Sequence, residues 1–310
     1  PLPGILRLIS GDGSVVHWSR AYFVWNGEIY TPIQHSTPAL GDVDLDGEPE
    51  ILTLLMSEDE STCHYASIDT TGYLKTFNQT NTVPCRVNSA AISDMEGDGT
   101  IEVIFGNSIF NGEDGTLQGQ GNYGMGEGYN WNKDKALAID LDGDGVQELV
   151  TGNSIYDPLG NRICSTNSTD GYPAVADVDG DGLGEIVVSG NFTLQIYNHD
   201  CIPVDFWDLP DIGAGGPPTI ADYDGDGQPE IGVASYYYYF VFEVDGTLLW
   251  QNPVDDASSH CTGSAVYDFE GDGYAEVVYA DENDLWVYSG HNGDVKLKDN
   301  THDSQTTTEY

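Results

Sequence analysis

Basic residues are scarce in this chain of 310 residues: nine Lys and Arg stand against 52 Asp and Glu, a formal charge of −43. Nucleic acid and anionic membrane surfaces are held by clustered cationic side chains, so neither is expected as a partner. Long apolar runs are also missing. None approaches the roughly 18 residues of a membrane span, and no membrane insertion is expected of this chain. An initiating Met and a signal peptide are absent, which reads as a processed form or a segment of something longer. No stretch has the caps and period of a useful helix. Neither G-x-S-x-G nor H-E-x-x-H occurs, which removes the nucleophile elbow and the zinc helix.

What the chain has in quantity is one acidic loop, repeated six times: DVDLDGEPE from Asp42, DMEGDGTIE from Asp94, DLDGDGVQE from Asp140, DVDGDGLGE from Asp177, DYDGDGQPE from Asp222 and DFEGDGYAE from Asp268. Carboxylates fall at positions 1, 3, 5 and 9, and glycine at position 6 permits the sharp bend. A hard cation takes about six to eight oxygens, so alternate residues of a tight loop must point inward, and position 7 adds its backbone carbonyl. Calcium is the cation expected, about six ions in a structural role. An EF-hand would need its bidentate Glu at position 12 and flanking helices. Here position 9 leads straight into β-prone runs such as Glu50-Ile51-Leu52 and Glu276-Val277-Val278.

The expected ligands are accordingly Asp42, Asp44, Asp46 and Glu50 with the carbonyl of Glu48 in the first loop, and Asp94, Glu96, Asp98 and Glu102 with Thr100 in the second. They are Asp140, Asp142, Asp144 and Glu148 with Val146 in the third, and Asp177, Asp179, Asp181 and Glu185 with Leu183 in the fourth. The fifth uses Asp222, Asp224, Asp226 and Glu230 with Gln228, and the sixth Asp268, Glu270, Asp272 and Glu276 with Tyr274. Six divalent ions would offset only twelve negative charges, so the protein stays acidic. Without metal the crowded carboxylates repel, which couples calcium to stability.

Loop starts are 52, 46, 37, 45 and 46 residues apart, room for four short strands per repeat and the signature of a propeller or solenoid. Small residues enter each loop, a branched apolar run leaves it, and a hairpin follows. An all-β propeller of four-stranded blades is expected, seven in number: six with calcium loops and a metal-free N-terminal one. Seven hairpins but six loops support that count, because residues 4–33 hold an extra hairpin and an Asn26-Gly27 turn signal. That segment is read as a blade or partial blade within one domain spanning 1–310. The competing reading is a chain cut from a longer array, with Thr306–Tyr310 beginning another strand.

Five Cys and the sequons at Asn78, Asn167 and Asn191 point to an oxidising, extracellular or cell-surface setting. Cys63 and Cys85 flank one predicted hairpin and are the pair expected to bridge. The pairing of Cys164, Cys201 and Cys261 stays open, with an odd thiol left over. Gly119–Gly124 matches G-x-G-x-x-G but lacks the helix that a dinucleotide site needs, so a flexible loop is the favoured reading. Tyr236–Phe240 would place alternate aromatics on opposite faces of a strand, with inter-blade packing favoured over an exposed binding surface. His35, just before the first calcium strand, and His260, just before the last, are conceivable bases for a lyase, but solvated or core-edge positions are the favoured reading of the scattered histidines, and no catalytic residue is expected.

The acidic loop followed by a branched strand resembles the FG-GAP repeats of integrin α-subunit propellers and, more closely, VCBS-type repeats of microbial surface proteins. The resemblance covers about residues 35–300 and implies calcium-bearing blades without implying an activity. Phe105-Gly106 is the only Phe-Gly pair and Gly-Ala-Pro is absent, so likeness to integrins as receptors is not implied. Three functions follow for comparison. The first is a non-catalytic, calcium-stabilised extracellular module that binds a glycan or protein in adhesion. The second is a structural subunit that assembles with copies of itself into a surface layer or fibre. The third is a calcium-dependent polysaccharide-active enzyme, a lyase in particular.

Overall fold

The runs that leave the acidic loops are rich in Val, Ile and Leu, and each becomes a strand buried on both faces, as in Glu185–Gly190. The computed structural model describes residues 3–34, 36–85, 89–126, 134–166, 168–210, 213, 215–256 and 262–301, and among these every regular element is a strand.

Strands β1 (Leu6–Ile9) and β2 (Val16–Arg20) form a two-stranded sheet. Strands β3 (Phe23–Trp25) and β4 (Glu28–Pro32) turn through Asn26 and Gly27, whose φ angles of 51° and 86° are those of the tight hairpin expected there. The first loop-bearing sheet contains β5 (Ala39–Gly41), β6 (Glu50–Ser57), β7 (Cys63–Ile68) and β8 (Leu74–Phe77). The second contains β9 (Ala90–Ser93), β10 (Glu102–Phe105), β11 (Ser108–Asn111) and β12 (Leu117–Gln120). In the third are β13 (Leu137–Ile139), β14 (Glu148–Val150), β15 (Ser154–Tyr156) and β16 (Arg162–Ser165). The fourth has β17 (Tyr172–Ala176), β18 (Glu185–Gly190), β19 (Thr193–Tyr197) and β20 (Pro203–Asp208). The fifth has β21 (Thr219–Ala221), β22 (Glu230–Ala234), β23 (Tyr238–Glu243) and β24 (Leu248–Pro253). The sixth has β25 (Ser264–Tyr267), β26 (Glu276–Ala280), β27 (Leu285–Ser289) and β28 (Val295–Asp299). Pairing between the named strands is antiparallel, and within each of these six sets of four the strands pair in chain order.

The N-terminal segment differs from the expected blade. Its four strands do not form one sheet: β3–β4 is added to β6, whose last residues Leu55–Ser57 pair with Pro32–Tyr30. The reason is the length of β6. Its eight residues overhang the three of β5, and the apolar run Leu54-Leu55-Met56 takes a second partner rather than leave its edge bare. Just before β1, the Gly4 N–H donates to the Pro32 carbonyl at 2.6 Å and Pro3 bridges Ile33, while Leu6, Leu8 and Trp18 pack against the cluster that holds Phe23 and Tyr30.

β1–β2 nevertheless corresponds to the last two strands of a unit. Trp18 on β2 packs over Gly72 of the β7–β8 hairpin and donates Nε1 to the Thr70 carbonyl at 2.9 Å. In the same way Trp207 on β20 covers Gly246 of the next sheet's hairpin, and Trp250 on β24 covers Gly293. All three glycines have positive φ, which a Cβ would strain.

Six apolar clusters lie between consecutive layers. Leu52, Leu54 and Tyr65 meet Val103, Phe105 and Phe110 between the first and second sheets, and Tyr239 and Val241 meet Val277, Tyr279 and Tyr288 between the fifth and sixth. Sheets with both faces buried must stack, and each fully buried Phe or Tyr adds about 2 kcal/mol. The stacking absorbs most of the tyrosine run. Tyr239 and Phe240 are buried on opposite faces, and Tyr237, before the strand begins, is about half exposed. Gly119 and Gly121 are packing positions on and just after β12, where a Cβ would meet the Leu159 carbonyl carbon and the Tyr156 ring. Gly119 is thus part of a strand, contrary to the flexible loop expected.

Candidate metal centres

Each acidic loop closes the first hairpin of its sheet. The Glu at position 9 is the first residue of the second strand and pairs with the residue preceding position 1, as in Ala221 with Glu230 and Ala176 with Glu185. A strand start next to a buried inter-sheet cluster makes this Glu the least accessible of the carboxylates. Glu50, Glu102, Glu185, Glu230 and Glu276 are at most 2% exposed and Glu148 is 8% exposed.

The loops share one internal hydrogen-bond scheme. Position 1 accepts the N–H of the position 6 glycine, at 2.9 to 3.0 Å in all six. Position 5 accepts the N–H of position 7, at 2.7 to 3.1 Å. The position 9 Glu turns Oε2 to the N–H of position 2, at 2.7 to 3.1 Å. Carboxylates thereby fix the loop backbone, and their remaining oxygens face inward or solvent. Positions 4 and 6 both have left-handed φ. Five loops use glycine at position 4, while the first uses Leu45 at 60°.

Ligand oxygens within 4.8 Å of one another occur in four loops: Asp42, Asp44 and Glu50; Asp140, Asp142 and Glu148; Asp177, Asp179 and Glu185; and Asp222, Asp224, Asp226 and Glu230. The second and sixth loops form no such cluster among the described residues, which lowers the expected six to four. Their position 3 is glutamate, Glu96 and Glu270, one methylene longer than the aspartate of the others.

The fifth loop fits a cation best. All four of its carboxylates converge, and Glu230 Oε1 is buried with no hydrogen-bond partner. Burial first, and Asp224 second, push the Glu230 carboxyl up to about 7. Burial likewise raises Glu102, Glu148 and Glu185. An orphaned, buried oxygen among like charges is costly, and a divalent ion with oxygen preference removes both penalties. Lys75 and Lys296, which the sequence pattern did not single out, reach into the first and sixth loops.

Cys63 bonds Cys85, and Cys164 bonds Cys201 across the third and fourth sheets. Cys261, His35, His260, Trp131 and the tail from Thr306 lie outside the described residues, as does the sequon Asn167. Asn78 donates Nδ2 to the Gly115 carbonyl at 2.8 Å, whereas Asn191 is exposed at the β18–β19 turn. Among the described residues no catalytic arrangement is evident.

Residues 222–279, which contain the fifth and sixth loops, match the FG-GAP-like repeat. No curated protein sequence matches the chain. Solved structures do. The V. cholerae biofilm matrix protein Bap1 is 16% identical with a TM-score of 0.69, over 97% of this chain and 80% of Bap1. The exotype rhamnogalacturonan lyase YesX is 17% identical with a TM-score of 0.56, over 89% of this chain and 58% of YesX. BBS1N, from a complex with ARL6DN, is 12% identical with a TM-score of 0.50, over 90% of this chain and 86% of BBS1N. At these identities the likeness is one of fold.

Proposed function

For a chain that carries an FG-GAP-like repeat, we propose the role of a non-catalytic extracellular β-propeller, stiffened by calcium, that binds a glycan or protein as an adhesion or matrix module. The observation that carries it is the fifth loop, where four carboxylates converge on a buried glutamate oxygen that nothing in the protein satisfies. An all-oxygen, carboxylate-rich set selects Ca²⁺ over softer metals. Position 7 carbonyls would complete each shell, and a shell filled by the protein makes the ion structural. Calcium, when bound, supplies the positive charge that lets neighbouring carboxylates share one loop.

Stacked four-stranded sheets and the fold of Bap1 favour radial closure into a propeller. Two disulfides favour an oxidising compartment, where millimolar calcium is also found. The name of Bap1, a biofilm matrix protein, favours adhesion over the lyase chemistry in the name of YesX. Thermal melting in millimolar Ca²⁺ and in EGTA tests the reading. A large drop in Tm with chelator is expected, and an unchanged melt overturns it.

A second reading is self-assembly. Ile9, Val15 and Val16, on or next to β1–β2, are about half exposed, and β1 has a pairing partner only in β2 within the named strands. A bare apolar edge is a template for strand addition. Light scattering after size exclusion separates the two: a compact monomer supports the binding module, a calcium-dependent polymer the assembly.

A further inference from the structure

The last hairpin of every loop-bearing sheet contains a β-bulge at one register. The extra residue there is Lys75, Gln118, Ile163, Val204, Leu249 and Lys296 in sheets one to six. A bulge bends its strand and re-aims a side chain, and where that residue is lysine it meets the acidic loop of its own sheet. Lys75 Nζ lies 2.7 Å from Asp44 Oδ2, 2.6 Å from Asp46 Oδ2 and 2.8 Å from Glu50 Oε1. Lys296 Nζ lies 2.6 Å from both Glu270 Oε2 and Glu276 Oε1. These are positions 3, 5 and 9 in one loop and 3 and 9 in the other, the carboxylates read as metal ligands. In the fifth sheet the register holds Leu249, which has no proton to donate, and there Glu230 Oε1 is left bare.

We propose that Lys75 and Lys296 are tethered cations that take the place of Ca²⁺ in the first and sixth loops, so that metal binds at the loops beginning Asp140, Asp177 and Asp222. The proposal rests on the calcium reading above and divides the loops within it. An ammonium has three donors and no acceptor, which matches the three carboxylate oxygens around Lys75. Being part of the chain, it competes at a high effective concentration. A calcium ion entering the first loop would have to break three charge-assisted hydrogen bonds and sit beside the displaced ammonium. The third and fourth loops have Ile163 and Val204 at the bulge, so nothing there competes. In the second loop Glu102 Oε1 is also buried without a partner, but the bulge residue is Gln118 and the described carboxylates do not converge, so the proposal assigns it no ion.

Calcium counting on the full chain, by equilibrium dialysis with elemental analysis, tests this. Wild type should hold three ions and Lys75→Met four, because Asp42, Asp44 and Glu50 already converge. Asp44→Asn in the wild type should leave the count at three. A count of six, a loss of one ion in Asp44→Asn, or no gain in Lys75→Met overturns the division of the loops. A wild type that binds no calcium overturns the calcium reading itself and this inference with it. Should Lys75→Met not fold, lysine acetylation of the wild type with peptide mass spectrometry decides. Lys75 and Lys296 should label severalfold more slowly than exposed Lys135, equally in Ca²⁺ and EGTA. Faster labelling of Lys75 in calcium would mean that the ion displaces it, and the proposal fails.

Discussion

Glu230 Oε2 accepts the backbone N–H of Tyr223 at 2.7 Å, while Oε1 of the same carboxylate is buried without a partner. One carboxylate therefore holds the loop backbone and presents a bare oxygen to the loop interior. Its carboxyl is raised to about 7, chiefly by burial. A carboxyl raised in the folded state stabilises fully below its unfolded value, near 4.5, and that contribution is lost as pH rises through 7. In EGTA the protein should lose on the order of 2 kcal/mol between pH 4.5 and 7.5. In calcium the ion competes with the proton for the same oxygens, and the trend should reverse. Urea melts at pH 5 and pH 8 in each buffer measure both, and Glu230→Gln should flatten the slope in EGTA.

Leu45 occupies the left-handed position that glycine fills in the other five loops, and it is 63% exposed. Little burial is lost on removing it. Leu45→Gly should stabilise by about 0.5 kcal/mol, the relief of a non-glycine residue at positive φ less the entropy of a freer unfolded chain. Gly143→Leu, at the same position of the third loop and with open space around it, should cost about 1 kcal/mol. Paired thermal melts give both signs.

Gly112 follows β11 in the second sheet, and a Cβ there would lie 2.6 Å from the Ile101 carbonyl oxygen and 2.8 Å from Val43 Cβ. Neither atom is a movable side-chain tip. Gly112→Ala should cost about 2 kcal/mol by overpacking, read as a shift in denaturant midpoint at constant slope.

The Cys164–Cys201 bond closes a separation of 37 residues between the third and fourth sheets. Replacing both cysteines by serine should lower stability by about 3 kcal/mol, by freeing the unfolded chain. Calorimetry under non-reducing conditions measures it.

Much of this was legible in the chain because its signals are local. The loop from Asp222 to Glu230 names its own ligands, turn glycines and following strand within nine residues. The Cys63–Cys85 bridge belongs to one hairpin region and could be read in the same way. Cys164 and Cys201 lie in different sheets, so their pairing depends on stacking that no local pattern encodes. The division of residues 4–33 also depended on a distant fact, the overhang of β6 beyond β5. Lys75 and Lys296 each stand three residues after a hairpin glycine, Gly72 and Gly293, but what turns them towards an acidic loop is a bulge set by cross-strand register, which the local sequence does not spell out. The two loops without a convergent set among the described residues are the two with Glu, not Asp, at position 3, a difference that is local in the sequence.

Position 2 of each loop bears on how the molecule comes apart. Val43, Met95, Leu141, Val178 and Tyr223 are buried, and each joins an apolar cluster with residues of the following sheet. Phe269, the sixth, is 59% exposed. The same five residues donate their N–H groups to the position 9 glutamates. A loop that slackens therefore withdraws a peg from its neighbour as well as opening its own hairpin. Nearest-neighbour coupling of this kind ties the stability of each sheet to the next, so the loss of one ion would be felt in the neighbouring sheet as well as its own, and the sheet bearing Phe269, whose peg is largely exposed, is held least firmly by this device.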